Sequence, residues 1–432
     1  MVERSAVNRL VAGSNPAWGV LIKVSITVRV RVLEMIDCKP HASYFQRHWL
    51  LDRNINFLNH ASFGACPRPV LEVQAKLRSQ LENEPLRFFG REWEPLLDGS
   101  RNKLATFVGV ESQDLVFVPN ATTGVNAVLR SLPFTSDDEL LTTNHEYNAC
   151  RNALNFIASY VNAKVVVANV PFPIESPEQI IEAVVEKVSP KTRLALLDHI
   201  TSQTGLIFPI QQLVQELQTR GVDVLVDGAH APGMVPLNLS EIGATYYTGN
   251  CHKWLCAPKG AAFLYVKRDK QPIIRPLTIS HGANSTLTHK SRFQLEFDWM
   301  GTDDPTAYMC VGEAIQFMGS LLAGGWDELM QRNHDLVMQG RQVICKLLDI
   351  AVPCPELMIG SMATLTIPKI LEKYTYTSLH DQLFDKYGIE VQVVPWQGEF
   401  KLLVRISAQI YNSIEQYDCL GEALQKIVKS LS

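Results

Sequence analysis

None of the nine cysteines in this chain belongs to a Cys-x-x-Cys pair, so neither a disulfide framework nor a structural zinc site has its usual sequence support. Cys251, His252 and Cys256 crowd onto one turn, but no second ligand pair accompanies them, and no metal is expected. Positive charge is not in excess: 40 Lys and Arg against 44 Asp and Glu give a net charge of −4. That removes the electrostatic case for nucleic acid or an anionic membrane. Long apolar runs are missing as well. Trp18-Gly19-Val20-Leu21-Ile22 continues into Lys23, Arg29 and Arg31, which fits neither a signal-peptide core nor a membrane span. The expectations that remain are a reducing, cytoplasmic setting and a small-molecule partner.

With 46% hydrophobic and 19% charged residues over 432 positions, the chain can bury a large core and is long enough for two domains. Residues 1–35 stand apart. Val24–Val32 alternates like an exposed strand without a partner, and Met35 offers a second start. We expect this extension to be disordered or wrongly assigned to the protein.

The richest stretch lies mid-chain. Val222–Val226 reads as a buried strand, because its apolar and β-branched residues are continuous and Asp227 closes it abruptly. Ala244–Thr248 reads as a second strand, a polar turn carries Asn250, His252 and Lys253, and Gly260–Val266 reads as a third. Asp227, His230 and Lys253 then sit on loops at the ends of neighbouring strands. Further strands are expected at Leu115–Val118, Glu139–Thr143, Lys164–Val167 and Arg193–His199, with helices at 69–84, 98–108, 177–188 and 209–220. Strands alternating with helices predict a mostly parallel sheet covered on both faces, with ligands at the carboxyl ends of its strands.

After Val118, the turn Asn120-Ala121-Thr122-Thr123-Gly124 opens a helix. A strand, a turn of small and hydroxyl residues and a helix N-terminus make an anion site, because free N–H groups and the helix dipole face one point. An ordinary N-cap threonine is the competing explanation. From Tyr308 a helical stretch runs to a break at Gly324-Gly325 and resumes over Trp326–Leu348. Strands at Met362–Ile367, Ile389–Val394 and Lys401–Ser407, with helices at 376–386 and 413–430, predict an α+β second domain.

The constellation Asp227-Gly228-Ala229-His230 and Thr248-Gly249-Asn250-Cys251-His252-Lys253-Trp254 resembles the class V aminotransferase family of fold-type I pyridoxal-phosphate enzymes, most closely its isopenicillin N epimerase-like members. Pyridoxal 5'-phosphate needs a lysine that condenses with its aldehyde and a carboxylate that keeps its ring nitrogen protonated, and the resemblance gives those tasks to Lys253 and Asp227. It implies an N-terminal arm at 36–75, a large domain at 76–305 with a seven-stranded-type sheet, a small domain at 306–432 and a homodimer with shared sites. Thr122, Thr123, Asn250 and His252 would hold the phosphate, with Thr302 of Met300–Pro305 reaching across from the second subunit, unless Thr302 belongs to a simple helix cap. Tyr147 would stack on the cofactor, with His145 its rival. His230 and Ser202 would lie beside it, although Ser202 reads equally as a loop hydroxyl bonded to its own backbone. Arg405 would take the substrate carboxylate, and Asn59 and His60 would approach the substrate.

The resemblance fixes the cofactor better than the reaction. Lys253 is the natural base for the α-proton, and the expected activity is epimerase-like, on an amino-acid or peptide-like substrate. A C–S lyase is the runner-up: the loop Val394–Phe400 lacks the cysteine that cysteine desulfurases of this family carry, which disfavours persulfide formation but not free release of sulfur. An aminotransferase, and a cofactor-binding protein without turnover, are the remaining alternatives.

Overall fold

The structure is a computed structural model that describes residues 42–431; the expectation for residues 1–35 lies outside them. Strand β1 (Asn56–Phe57) follows a single 3-10 turn, Tyr44–His48. Helices α1 (Arg68–Asn83) and α2 (Trp93–Val108) come next, α2 starting five residues before the expected point. The layered region then alternates: β2 (Leu115–Val118), α3 (Ala121–Ser131), β3 (Glu139–Thr143), α4 (Asn148–Val161), β4 (Lys164–Ala168), α5 (Glu178–Glu186), β5 (Thr192–Asp198), α6 (Ile210–Thr219), β6 (Asp223–Asp227), β7 (Tyr246–Asn250) and β8 (Ala262–Val266).

These strands form one seven-stranded sheet in the order β2-β8-β7-β6-β5-β3-β4. Pairings from β7 across to β4 are parallel, and only β8 runs antiparallel to its two neighbours. The hydrophobic runs explain the arrangement. Strands β2, β7 and β8 are buried at every position because helices cover both faces, each fully buried Val or Leu contributing about 1.5–3 kcal/mol. Asp198 and Asp227 end β5 and β6 as direct register partners, so two carboxylates stand side by side at the carboxyl edge.

The last part of the chain is the smaller α+β domain. Helix α7 (Gly325–Leu348) precedes β9 (Met362–Thr366), α8 (Tyr376–Tyr387), β10 (Ile389–Glu390), β11 (Gln392–Pro395), β12 (Leu402–Ser407) and α9 (Ile414–Leu431). The expected single strand over 389–394 is two. Ile389–Glu390 pairs in parallel with β1, and after Val391 the chain pairs antiparallel with β12, which also pairs with β9. One segment cannot serve two sheets of different orientation without a break. The division at 75/76 and 305/306 is kept as our proposal. Among the described residues seven cysteines are free thiols and Cys419 is disulfide-bonded. Among the described residues no helix is long and apolar enough to cross a membrane.

Candidate active site

Lys253 follows β7 and is buried with its amine 3.1 Å from His230 Nε2. Two observations say that this amine gives up its proton more readily than an ordinary lysine. Burial, reinforced by the charge of Arg405, lowers its pKa from about 10.5 to about 8. Independently, Trp254 Nε1 faces His230 Nδ1 at 3.4 Å, and an indole N–H can only donate. Nδ1 must therefore hold the lone pair, the neutral ring carries its proton on Nε2, and that N–H needs a lone pair on the lysine nitrogen. Burial keeps His230 uncharged.

The backbone of Lys253 is fixed as firmly. His60 Nε2 meets the Lys253 carbonyl at 3.0 Å, so Nε2 is the donor, and Nδ1 then accepts from the Tyr411 hydroxyl at 2.8 Å. Gly64 has φ +68°, and a Cβ there would stand 2.1 Å from the His252 carbonyl oxygen; only glycine permits that approach. His60 is thus spent on the scaffold, with its pKa pushed down to about 3 by burial. Asn59 is spent likewise, donating to Glu390 Oε1 at 2.9 Å and accepting from Ser62 Oγ at 2.6 Å. Of this loop, Ser62 and Phe63 line the cavity, and Asn59 and His60 do not.

That cavity, of about 370 Å³, is also lined by Asn120, Ala121, Thr122, Tyr147, Asp198, Ser202, Asp227, His230, Asn250, His252 and Lys253. Asp227 accepts from Cys150 Sγ at 3.1 Å and from the Ala229 N–H at 3.0 Å. Burial raises its pKa, while those two bonds and Lys253 oppose the rise. Glu146 and Asp198 lie in the same buried cluster, and the sequence reading missed both. Burial, then the neighbouring carboxylates, pushes both well above the usual carboxylate range, beside Asp227. Glu146 Oε2 accepts from Thr142 at 3.1 Å. The available signal for Asp198 was its likeness to Asp227: each closes an apolar strand beside the other.

At the opposite end stands the first turn of α3. Asn120 Oδ1 caps the Thr123 N–H at 2.9 Å, and Asn250 Oδ1 takes the Ala121 N–H at the same distance. Asn250 turns its Oδ1 to that backbone as a cap, worth about 1 kcal/mol, and lines the cavity, where its amide nitrogen can donate to an anion. Thr123 also turns away, its hydroxyl donating to Asn120 at 3.0 Å. Thr122 alone of the pair lines the cavity. His252 donates Nδ1–H to the Ala261 carbonyl at 3.0 Å, and burial lowers its pKa to about 4. Its Nε2 becomes a donor only on protonation, which a nearby anion favours.

Arg405 on β12 is 4% exposed and has no carboxylate partner among the described residues. Its Nη1 reaches the Ser202 carbonyl and, at 3.3 Å, the Ser202 hydroxyl; Nη2 donates to Ser62 Oγ at 3.0 Å; Nε has no partner among the described residues. Burial lowers its pKa to about 10. Ser202 is therefore a partner of Arg405 at the cavity wall. Tyr147 lines the cavity at the start of α4, 42% exposed, with its phenol pKa raised by the partial loss of water around it. His145 does not line it: Nε2 meets the Val170 carbonyl at 3.1 Å, Nδ1 meets Thr204 Oγ1 at 2.7 Å, and the ring packs on Trp396. Thr302 is exposed and outside the cavity of this chain.

The donor set fits pyridoxal phosphate end for end. A helix N-terminus and His252 suit an anion at one end, Asp227 suits a protonated ring nitrogen at the other, and an amine of lowered pKa stands at the cavity wall. Glu146, Cys150 and Asp227 place three ligand atoms within 4.8 Å of one another, but the carboxylate that the ring nitrogen needs is one of them, and we assign no metal.

Comparison with known proteins agrees. The family described as "Aminotransferase class-V" matches residues 57–420. The chain is 30% identical over 411 residues to a probable L-cysteine desulfhydrase, chloroplastic, of Arabidopsis thaliana, covering 90% of this chain and 85% of that one. It is equally 30% identical over 395 residues to the isopenicillin N epimerase of Amycolatopsis lactamdurans, with coverages of 88% and 96%. A cystine C–S lyase solved with its product cysteine persulfide superposes with a TM-score of 0.73 at 21% identity, covering 86% of this chain and 97% of that one. The chain belongs to the class V aminotransferase family of fold-type I enzymes, and its cofactor is pyridoxal 5'-phosphate.

Proposed function

We propose that the protein is an epimerase-like enzyme that removes the α-proton of an amino-acid or peptide-like substrate at Lys253 and returns a proton to the other face from Tyr147. One observation carries this reading: Lys253 and Tyr147 line one cavity but arrive from opposite sides of it. Lys253 follows β7 and Tyr147 follows β3, and β6 and β5, with Asp227 and Asp198 at their ends, lie between them in the sheet. Bound pyridoxal phosphate supplies an electron sink that makes the α-proton removable. Arg405 takes the substrate carboxylate, offering parallel donors from a buried cation that has no other anion among the described residues. Asp227 keeps the proton on the ring nitrogen, and burial holds the pKa of its neighbours Glu146 and Asp198 high. Neutral Lys253 accepts the α-proton and the un-ionised Tyr147 phenol donates one.

Incubating holoenzyme with a panel of L-amino acids and sulfur derivatives in deuterated water, and following α-exchange, chirality and released keto acid, tests the reading. Exchange with inversion is expected. Exchange without inversion, accompanied by sulfide and pyruvate, would establish the second reading, a C–S lyase. That reading is supported by the desulfhydrase names among the relatives and by the loop before β12, where Trp396 stands and no cysteine does.

The active unit in this reading is a dimer that borrows Thr302. Phe63 lines the cavity yet is 74% exposed in the single chain, and an apolar side chain at a cavity mouth suits cover by a second subunit. Mixing an inactive Lys253→Ala protein with an inactive Thr302→Glu protein should restore partial activity, because one site of each heterodimer then has both native residues. No recovery after verified subunit exchange refutes the sharing. A reducing, cytoplasmic setting is part of the same proposal, with seven free thiols for it and the disulfide at Cys419 against it.

A further inference from the structure

Asp198 and Ile200 line the cofactor cavity, whereas His199 between them lines a separate cleft of about 530 Å³ that shares no lining residue with it. His199 is 7% exposed and is held by the scaffold twice: its backbone N–H donates to the Asp227 carbonyl at 2.8 Å, and its Nδ1 meets the Tyr247 hydroxyl at 2.8 Å. That hydroxyl has no other partner among the described residues, so its proton goes to Nδ1. The reverse arrangement would strand a phenolic O–H in the core at about 1–3 kcal/mol. Burial keeps the ring neutral, with its pKa pushed down to about 4. The ring proton therefore sits on Nε2, and Nε2 has no acceptor among the described residues.

Helix α6 starts at the same cleft. Pro209, Ile210, Gln211 and Gln212 line it; Pro209, the N-cap, offers no side-chain acceptor, and the first turn holds no acidic residue. The Ile210 N–H turns back to the Phe208 carbonyl at 2.7 Å, which leaves the N–H groups of Gln211 and Gln212 without partners among the described residues. A buried ring N–H and the positive end of a helix thus open on one space, and both call for an anion. The remaining lining sets its size and charge. Phe208, Leu237 and Ile242 add apolar wall, and among the described residues no Lys or Arg lines the cleft. Glu241 is its one carboxylate, accepting from Asn238 Nδ2 at 2.7 Å on the exposed rim. A ligand with a second negative charge would be repelled there, so the lining suits a single one on a short apolar body.

We propose that this cleft binds a short aliphatic monocarboxylate, its oxygens on His199 Nε2–H and the first-turn N–H groups of α6 and its chain on the apolar wall. The site is separate from the cofactor and does not depend on which reaction the enzyme performs. Because His199 also holds the Asp227 carbonyl, the occupant contacts the support of the residue assigned to the cofactor's ring nitrogen.

The probes are sodium butanoate and butanamide, titrated into holoenzyme with isotope-labelled histidine rings and followed by NMR; the His199 signal is the one lost in His199→Gln. The free protein is expected to show the Nε2–H tautomer at His199, and butanoate should move that signal saturably. Butanamide should bind about tenfold or more weakly, because it brings no charge to the donors. Gln212→Glu places a carboxylate in the first turn of α6, where the helix dipole favours it for folding, yet it repels the ligand, and butanoate affinity should fall by about tenfold or more. Unchanged cofactor absorbance reports that the variant is folded. Butanoate acting from Arg405 would shift the signal alike in wild type and Gln212→Glu, and that result overturns the site. So do an Nδ1–H tautomer, an equal response to the amide, or no saturable shift by about 100 mM butanoate.

Discussion

Lys253→Ala protein is expected to lose its colour on dialysis, to lack absorbance above about 400 nm from covalently held cofactor, and to exchange α-protons at least about three orders of magnitude more slowly than wild type, since attachment and general base are removed together. Borohydride reduction of the wild-type holoenzyme followed by peptide mapping should place the cofactor on Lys253, and a label on another lysine refutes the assignment. The lowered pKa gives an independent check on the apoprotein. An amine attacks an aldehyde only when unprotonated, so the rate of cofactor uptake should rise with pH and level off above about 8, the value to which burial brings Lys253. An ordinary lysine would keep accelerating toward about 10.4. A rate still climbing tenfold per pH unit at pH 9 would show that the amine is not neutralised by its surroundings.

Lys253 and Asp227 were legible in the sequence because each interrupts or follows an apolar run, and a parallel sheet places such interruptions at its carboxyl edge. The same logic covers Asp198, which closes β5 as Asp227 closes β6, but a lone acidic residue is ordinarily solvated, and its sequence context marks it only as a strand end. Glu146 carries even less signal, since its burial is created by strands far from it in the chain. Loop membership was also legible while side-chain direction was not. His60, Asn59 and His145 lie on the expected loops, yet each satisfies buried polar groups of the scaffold: the Lys253 carbonyl, Glu390 and the Val170 carbonyl respectively. A buried polar group left without a partner costs about 1–3 kcal/mol, and sequence spacing does not reveal which group a histidine will serve. Asn250 repeats the lesson at the phosphate end, where the orphan Ala121 N–H claims its side chain. Val391 marks where periodicity failed, because the run from 389 to 395 keeps one hydrophobic pattern while its partners change from β1 to β12.

Tyr147→Phe should separate the two readings of the reaction. The substitution keeps the ring that lines the cavity, so the cofactor absorbance should stay as it is, and Lys253 can still remove and return the α-proton on its own side. What disappears is the phenolic proton on the other side. Burial raises the Tyr147 pKa, so the group is a proton donor throughout the physiological range, and with His145 bound on both nitrogens to the scaffold no replacement stands on that loop. Inversion should therefore fall by roughly two orders of magnitude or more, the usual loss for a general acid, while exchange of the α-proton from one enantiomer continues. A C–S lyase makes the opposite demand. Its leaving group departs from the β-carbon, Lys253 serves both proton transfers, and a tyrosine across the cavity contributes shape more than chemistry. If the Tyr147→Phe enzyme releases sulfide and pyruvate from a sulfur amino acid nearly as fast as wild type, and wild type inverts none of the panel, the epimerase reading is withdrawn and Tyr147 is a stacking wall beside the cofactor.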